Sequence, residues 1–117
     1  MKRSLRRRQI LRKRRDFDRV RRNGKRINSR LVACNYLEHQ DQTDISRMVA
    51  FIVPKSCGAA VVRNRIRRRL KEIYRNLQQF LPEGLWSVWI ARKESAEASY
   101  WQLKDEVEGV YRKANFF

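Results

Sequence analysis

Between Arg63 and Leu81 the apolar residues recur at helical spacing. Ile66, Leu70, Ile73, Tyr74, Leu77 and Leu81 stand at i, i+4, i+7, i+8, i+11 and i+15. At about 100° per residue they gather on one face of a helix. Arg67, Lys71, Asn64, Arg75, Arg68 and Arg65 sweep the other side, and only Arg63 projects toward the apolar one. Glu72 alone interrupts the cations, whereas an ordinary solvated face mixes signs to avoid self-repulsion. The pattern predicts a helix that docks by one face and holds an arc of guanidinium groups outward toward phosphate.

The rest of the chain divides around this helix. Met1–Arg15 is an Arg-rich arm with Leu5, Ile10 and Leu11 as its apolar anchors. A short helix is predicted from Asp16, as N-cap, to Gly24, as the residue that closes it, with Phe17 and Val20 sharing a face. Arg30–Leu37 reads as a strand and Glu38–Ser46 as a polar loop. Met48–Val53 is a continuous apolar strand, expected to be central or buried on both faces, and Pro54 stops it. These two strands are expected to pair as a hairpin with a long connection. Lys55–Gly58 feeds the basic helix, Pro82–Gly84 ends it, and Leu85–Ala91 is a further strand. Ser99 and Gln102 form a potential capping box for a last helix, with Tyr100, Leu103, Val107, Val110 and Tyr111 at helical spacing. The order helix, two or three strands, helix, strand, helix predicts an α+β sandwich. Residues 1–15 are expected to be a flexible arm and 16–117 a single domain.

Charge adds a partner to this outline. The 117 residues carry 29 Lys and Arg against 12 Asp and Glu, a net charge of +17. Residues 1–30 hold fifteen basic and two acidic residues, net +13; residues 63–75 hold seven and one, net +6; the remainder sums to −2. Charge confined to two segments destabilises the isolated fold through self-repulsion, so a polyanionic partner is expected to relieve it. The preponderance of Arg suits forked contacts to phosphate and stacking on bases. No apolar run is long enough to span a membrane, and the basic N-terminus lacks the apolar region of a secretory signal. Nucleic acid is therefore the expected partner.

Candidate chemistry is sparse. His39 is the only histidine and lies among Glu38, Gln40 and Asp41 in a polar loop, which argues against a His-based nuclease. The carboxylates are scattered, and Asp105, Glu106 and Glu108 fall on the expected solvent side of the last helix. Cys34 and Cys57 lack the partners of a zinc site and read as reduced apolar residues of a cytoplasmic protein. Asn64 offers both a donor and an acceptor where charge alone would favour another Arg. Phe17 fits either a core anchor or a stacking platform for an unpaired base. Trp86, Trp89 and Trp101 are expected in the core or in a satellite of it. Three other readings stay open on these residues: a structural, ribosomal-type RNA-binding protein, a stand-alone metal-dependent nuclease, and a major-groove DNA binder.

Lys55, Gly58, Ala60-Val61 and above all Arg63-Asn64-Arg65-Ile66-Arg67-Arg68-Arg69-Leu70 resemble the signature of the bacterial ribonuclease P protein subunit. Phe17, Val20 and Gly24 match the family's opening, and Ile90-Ala91-Arg92-Lys93 is similar to its third-strand exit. The resemblance implies an αβββαβα two-layer sandwich with a left-handed βαβ crossover, similar to a domain of small-subunit ribosomal proteins and contrary to the usual hand. It also implies a role beside a catalytic RNA that removes the 5′ leader of precursor tRNA. On this resemblance the RNA carries the active site and the Mg²⁺, and the chain contributes no catalytic or metal-binding residue. The implied partners are ribonuclease P RNA and precursor tRNA, with no membrane and no protein partner required. By position, Lys55, Arg63, Asn64, Arg65, Arg67, Arg68 and Lys71 are expected to contact the RNA subunit, and Phe17 to line a leader cleft between the first helix and the sheet. Two departures stand out: Ala59 replaces the Asn usual before the Ala-Val lead-in, and Arg21 replaces a frequent aromatic.

Overall fold

The computed structural model describes residues 9–38 and 47–117; Leu5 and His39 lie outside the described residues. Four strands and three helices follow in the order α1 (Arg14–Asn23), β1 (Lys25–Asn28), β2 (Val32–Glu38), β3 (Met48–Ile52), α2 (Ala60–Leu77), β4 (Leu85–Ala91) and α3 (Tyr100–Lys113). This is the expected α+β class, αβββαβα. The strands form one mixed sheet in the order β1-β2-β4-β3, with β4 antiparallel to β2 and parallel to β3.

The expected hairpin between the second and third strands does not form, because β4 lies between them. Periodicity marks where a strand runs but carries nothing about its neighbour. For the same reason β3 is an edge strand rather than a central one. Its free edge is covered by the N-terminal segment: Ile10 makes a parallel bridge with Val49, and the Leu11 amide donates to the Val49 carbonyl at 2.9 Å. A segment laid on an exposed edge shields it from pairing with another chain. Gln9–Leu11 thus already belong to the folded body, with Leu11 buried.

Alternation along the strands feeds two cores. Val32, Cys34 and Tyr36 of β2 and Leu85, Trp89 and Ala91 of β4 face α2 and α3, where they meet Ile66, Leu70, Ile73, Tyr74, Leu77, Leu103, Val107, Val110 and Tyr111. Both predicted helical stripes therefore face the core, though α2 stops at Leu77, short of Pro82, so that Leu81 is buried after a 3-10 turn, Gln78–Phe80, and Tyr100 is only partly buried. The opposite face carries Trp86 and Val88 of β4 and Ala50 of β3, which pack with Val20 of α1 and Leu11. Buried polar groups in the larger core are paired: the Trp89 Nε1 donates to the Tyr111 hydroxyl at 3.1 Å, and that hydroxyl donates to the Ser87 Oγ at 3.3 Å. The Trp89 and Tyr111 rings meet edge to face with centroids 5.0 Å apart, an arrangement that adds to simple burial.

Helix ends follow local chemistry with two corrections. α3 opens on the predicted capping box, Ser99 accepting from the Gln102 amide and Gln102 accepting from the Ser99 amide. α1 begins at Arg14 with Lys13 as its N-cap, so Asp16 sits in the first turn instead, where its charge favours the positive end of the helix. Gly24 does not adopt a left-handed closing conformation (φ −92°). Its need is steric, since a Cβ there would overlap the backbone carbonyl oxygens of Tyr36 and Val20. Gly58, by contrast, has φ 126° and turns the chain into α2. Cys34 and Cys57 are free and buried, as expected. Trp101 is not in the core: it is 68% exposed. Glu106 is not a solvated side chain either, because it accepts from the Ser29 hydroxyl at 2.7 Å and the Leu31 amide at 3.1 Å, tying α3 to the β1–β2 turn.

Gly24→Ala is expected to destabilise the fold by about 1–3 kcal/mol through overpacking against backbone, read as a lower midpoint in urea. Burial also holds acidic side chains neutral. It pushes the Tyr74 phenol to about 12, and raises the Cys34 thiol and the Tyr111 phenol, from unfolded values of 9.0 for Cys and 10.0 for Tyr. In the unfolded chain these groups ionise first, so their contribution is complete below pH 9 and is lost as pH rises toward 12. Urea midpoints are expected to be insensitive to these groups between pH 7 and 9 and to fall steeply above it.

Candidate nucleic-acid interface

The apolar stripe of α2 fixes which residues face out. Asn64, Arg68 and Lys71 are exposed, while Arg63, Arg65 and Arg67 are half-buried along the flanks. Lys55 is exposed in a 3-10 turn, Lys55–Cys57, just ahead of the helix. All seven predicted RNA-contacting residues thus lie along α2 or at its N-terminal approach. Ala59 is the N-cap of α2 and supplies no side-chain hydrogen bond, so the departure from the family pattern leaves the first amides of the helix without a side-chain acceptor at that position.

These residues are not equivalent. Arg68 and Lys71 make no hydrogen bond or ion pair to the described residues. The Arg67 Nη1 donates to the Asn64 Oδ1 at 2.9 Å. That contact uses one of the two lone pairs of the amide oxygen, so Asn64 keeps its NH₂ donors and part of its acceptor capacity. Arg65 and Arg69 reach sideways instead. Their guanidinium groups donate to the carbonyls of Ala96 and Ala98, each at 3.0 Å, and tether α2 to the 3-10 turn Lys93–Glu97 and the start of α3. Glu72 and Arg75 stand 3.9 Å apart, both well exposed, a pair that contributes little.

A second surface lies on the far side of the sheet, away from α2. α1 covers part of that face. Phe17, Leu37, Met48 and Ile90 are partly buried around its small core, so Phe17 is at the rim, half-buried, where the leader cleft was expected. The Arg19 guanidinium lies 5.8 Å from the centre of the Trp86 ring, a cation–π contact. Arg21, where the family pattern favours an aromatic, donates to the Asp18 carboxylate at 3.2 Å.

On the same face an open groove of about 290 Å³ is floored by Ala33 and Ile90 and bordered by Arg26, Arg92, Lys93 and Ser56, with Glu94 as its one carboxylate. Asn28 organises the border: its Oδ1 accepts from the Arg92 Nη2 at 2.7 Å and the Arg26 Nε at 3.1 Å. Reading by segments passed over Arg26 and gave Arg92 and Lys93 no role of their own. The signal that was available is the placement of cations at one end of two strands, which matters only once β1, β2 and β4 are known to be neighbours. Among the described residues no three His, Cys, Asp or Glu side chains come together as metal ligands, and no helix is long and apolar enough to cross a membrane.

Fold and surface together define a small α+β protein with two separate cationic faces, one a helix and the other an open sheet. The chain belongs to the ribonuclease P protein family: the family model described as Ribonuclease P matches residues 5–115. It is 34% identical over 107 residues to the ribonuclease P protein component of Caldanaerobacter subterraneus subsp. tengcongensis, covering 92% of this chain and 90% of that one. The fold is that of the Staphylococcus aureus RNase P protein, with a TM-score of 0.81 at 24% identity over 93% of this chain and 97% of the other. The Thermotoga maritima RNase P protein superposes with a TM-score of 0.73 at 26% identity, covering 87% and 94%.

The tethers separate two kinds of arginine on α2. Arg68→Ala is expected to leave thermal stability within about 0.5 kcal/mol of wild type, as for a surface change with no partner. Arg65→Ala, which loses a charged hydrogen bond to a carbonyl, is expected to cost about 1–2 kcal/mol. Thermal denaturation of the two variants side by side checks the difference.

Proposed function

We propose that this chain is the RNA-binding subunit that aids a catalytic RNA in removing the 5′ leader of precursor tRNA. The observation that carries the reading is the opposition of two cationic surfaces on one small body. The arc on α2 suits the phosphates of a folded RNA. The groove on the α1 side of the sheet suits a single strand, because it sets an apolar floor of Ala33 and Ile90 among the cations Arg26, Arg92 and Lys93, while Phe17 offers a half-buried ring elsewhere on the same face. A body that binds one RNA on each face brings the leader and the RNA subunit together.

In this reading Lys55, Arg63, Asn64, Arg65, Arg67, Arg68 and Lys71 contact the RNA subunit. Arg68 and Lys71 meet phosphate with unspent donors, and Asn64 adds an oriented amide. The reactive groups and the Mg²⁺ belong to the RNA. By neutralising phosphates where subunit and leader converge, the protein raises substrate affinity and lowers the Mg²⁺ needed for cleavage. The free, buried thiols of Cys34 and Cys57 support a reducing compartment, the cytoplasm.

The test is cleavage of a precursor tRNA at low Mg²⁺ with protein alone, RNA subunit alone, and both together. Cleavage is expected only, or far faster, with both; cleavage by protein alone would overturn the reading. If six to ten phosphates are contacted, affinity for RNA is expected to fall by roughly 10³–10⁵ between 50 and 200 mM salt, less if the contacts are to single strands. Phe17→Ala is expected to weaken binding of precursor tRNA more than of mature tRNA, and an equal loss for both would return Phe17 to a purely structural role.

A further inference from the structure

Trp101 stands apart from both surfaces described above. It is 68% exposed, whereas Trp86 and Trp89, the other tryptophans of the chain, are 9% and 1% exposed. It lies in the first turn of α3, on the same side of the sheet as α2. Its backbone is fixed by the Ser99–Gln102 capping box. Its ring is braced edge-on by Tyr100, with centroids 5.2 Å apart and planes at 89°, and Tyr100 is itself packed against the larger core. Immediately before it, the carbonyls of Ala96 and Ala98 hold the guanidinium groups of Arg65 and Arg69. A rigid indole therefore stands beside the flank of the cationic helix.

We propose that Trp101 is a stacking platform for an unpaired base of the RNA subunit that docks on α2. This inference rests on the function proposed above. The surroundings select the occupant. Leu103, Val107, Val110 and Tyr111 of α3 are buried, and Glu97, Gln102 and Asp105, close to Trp101 along the chain, are exposed and polar, so among the described residues α3 offers no extended apolar surface for a protein or lipid partner to cover. One planar ring on a polar surface, three and five residues along the chain from the carbonyls that hold Arg69 and Arg65, matches a nucleobase, whose face is neutral and whose phosphates seek the cations. Position selects the source: the leader groove lies on the opposite face of the sheet, and α2 with Trp101 lies on this one.

Trp101 reports on itself, because it is the only strongly exposed tryptophan. In the free protein, acrylamide quenching is expected to reach a component that Trp101→Phe removes. Adding the RNA subunit is expected to protect that component. Trp101→Ala is expected to weaken binding of the RNA subunit by about 5- to 150-fold, a typical loss for one stacked base, with little change in salt dependence because no charge is removed. Trp101→Phe, which keeps a ring, is expected to recover most of that loss, and circular dichroism of both variants is expected to match wild type. Wild-type affinity of Trp101→Ala, unaltered quenching in the complex, or protection by precursor tRNA but not by the RNA subunit would each overturn the proposal. If Arg68→Ala loses affinity while Trp101→Ala does not, this inference fails and the proposed function stands. If the wild-type protein does not bind the RNA subunit, both fail.

Discussion

α2 places seven cations between residues 63 and 75, and such a helix cannot rest on its own polar face. Like-charge neighbours one turn apart each cost a few tenths of a kcal/mol. Against that, Ile66, Leu70, Ile73, Tyr74 and Leu77 are all buried against the sheet, at about 1.5–3 kcal/mol for each large aliphatic side chain. Burial exceeds repulsion several-fold, so the apolar stripe decides the orientation and the charges accept the positions left over. Everything functional on this side depends on that docking. The sheet must be apolar on the face it offers, and the strands must alternate to make it so.

The alternation has a second product. With Val32, Cys34, Tyr36, Leu85 and Trp89 committed to α2 and α3, the intervening residues of the same strands necessarily form the opposite face, where α1 covers only part. The same sheet thus separates the two cationic surfaces and holds them at a fixed distance. Some arginines serve both packing and charge. Arg65 and Arg69 tether α2 to the approach of α3, and Arg92 and Arg26 share the Oδ1 of Asn28. A guanidinium has five donors, so one N–H spent on a carbonyl leaves others for phosphate.

Sequence alone predicted α2, its buried stripe and the capping box of α3, because each depends on residues within a few turns. It failed where the deciding partner is far along the chain. β1 (Lys-Arg-Ile-Asn) has no strand-like apolar pattern; it exists because its backbone pairs with β2. The insertion of β4 between β2 and β3 left no trace in either segment's periodicity. Glu106 resembled the solvent side of a helix until the β1–β2 turn supplied two donors. Of the site, the arc on α2 was legible from spacing, whereas the groove bordered by Arg26 and Arg92 required three strands to be set side by side. Trp101 was assigned to the core or a satellite of it on residue type, and its exposure follows from its place on α3, on the side shared by Asp105 and Arg112 and away from Leu103, Val107 and Val110.

The strand order also governs when the protein can exist during its own synthesis. β2 and β3 have no hydrogen bonds to each other; both are joined only by β4, at Leu85–Ala91. Until that strand leaves the ribosome, β1 can pair with β2 but nothing joins that pair to β3, so the sheet on which α2 docks is incomplete. The seven cations of residues 63–75 are therefore made before the strand that completes the platform beneath them. The two halves of the sheet share one platform only through β4, the penultimate element of the chain.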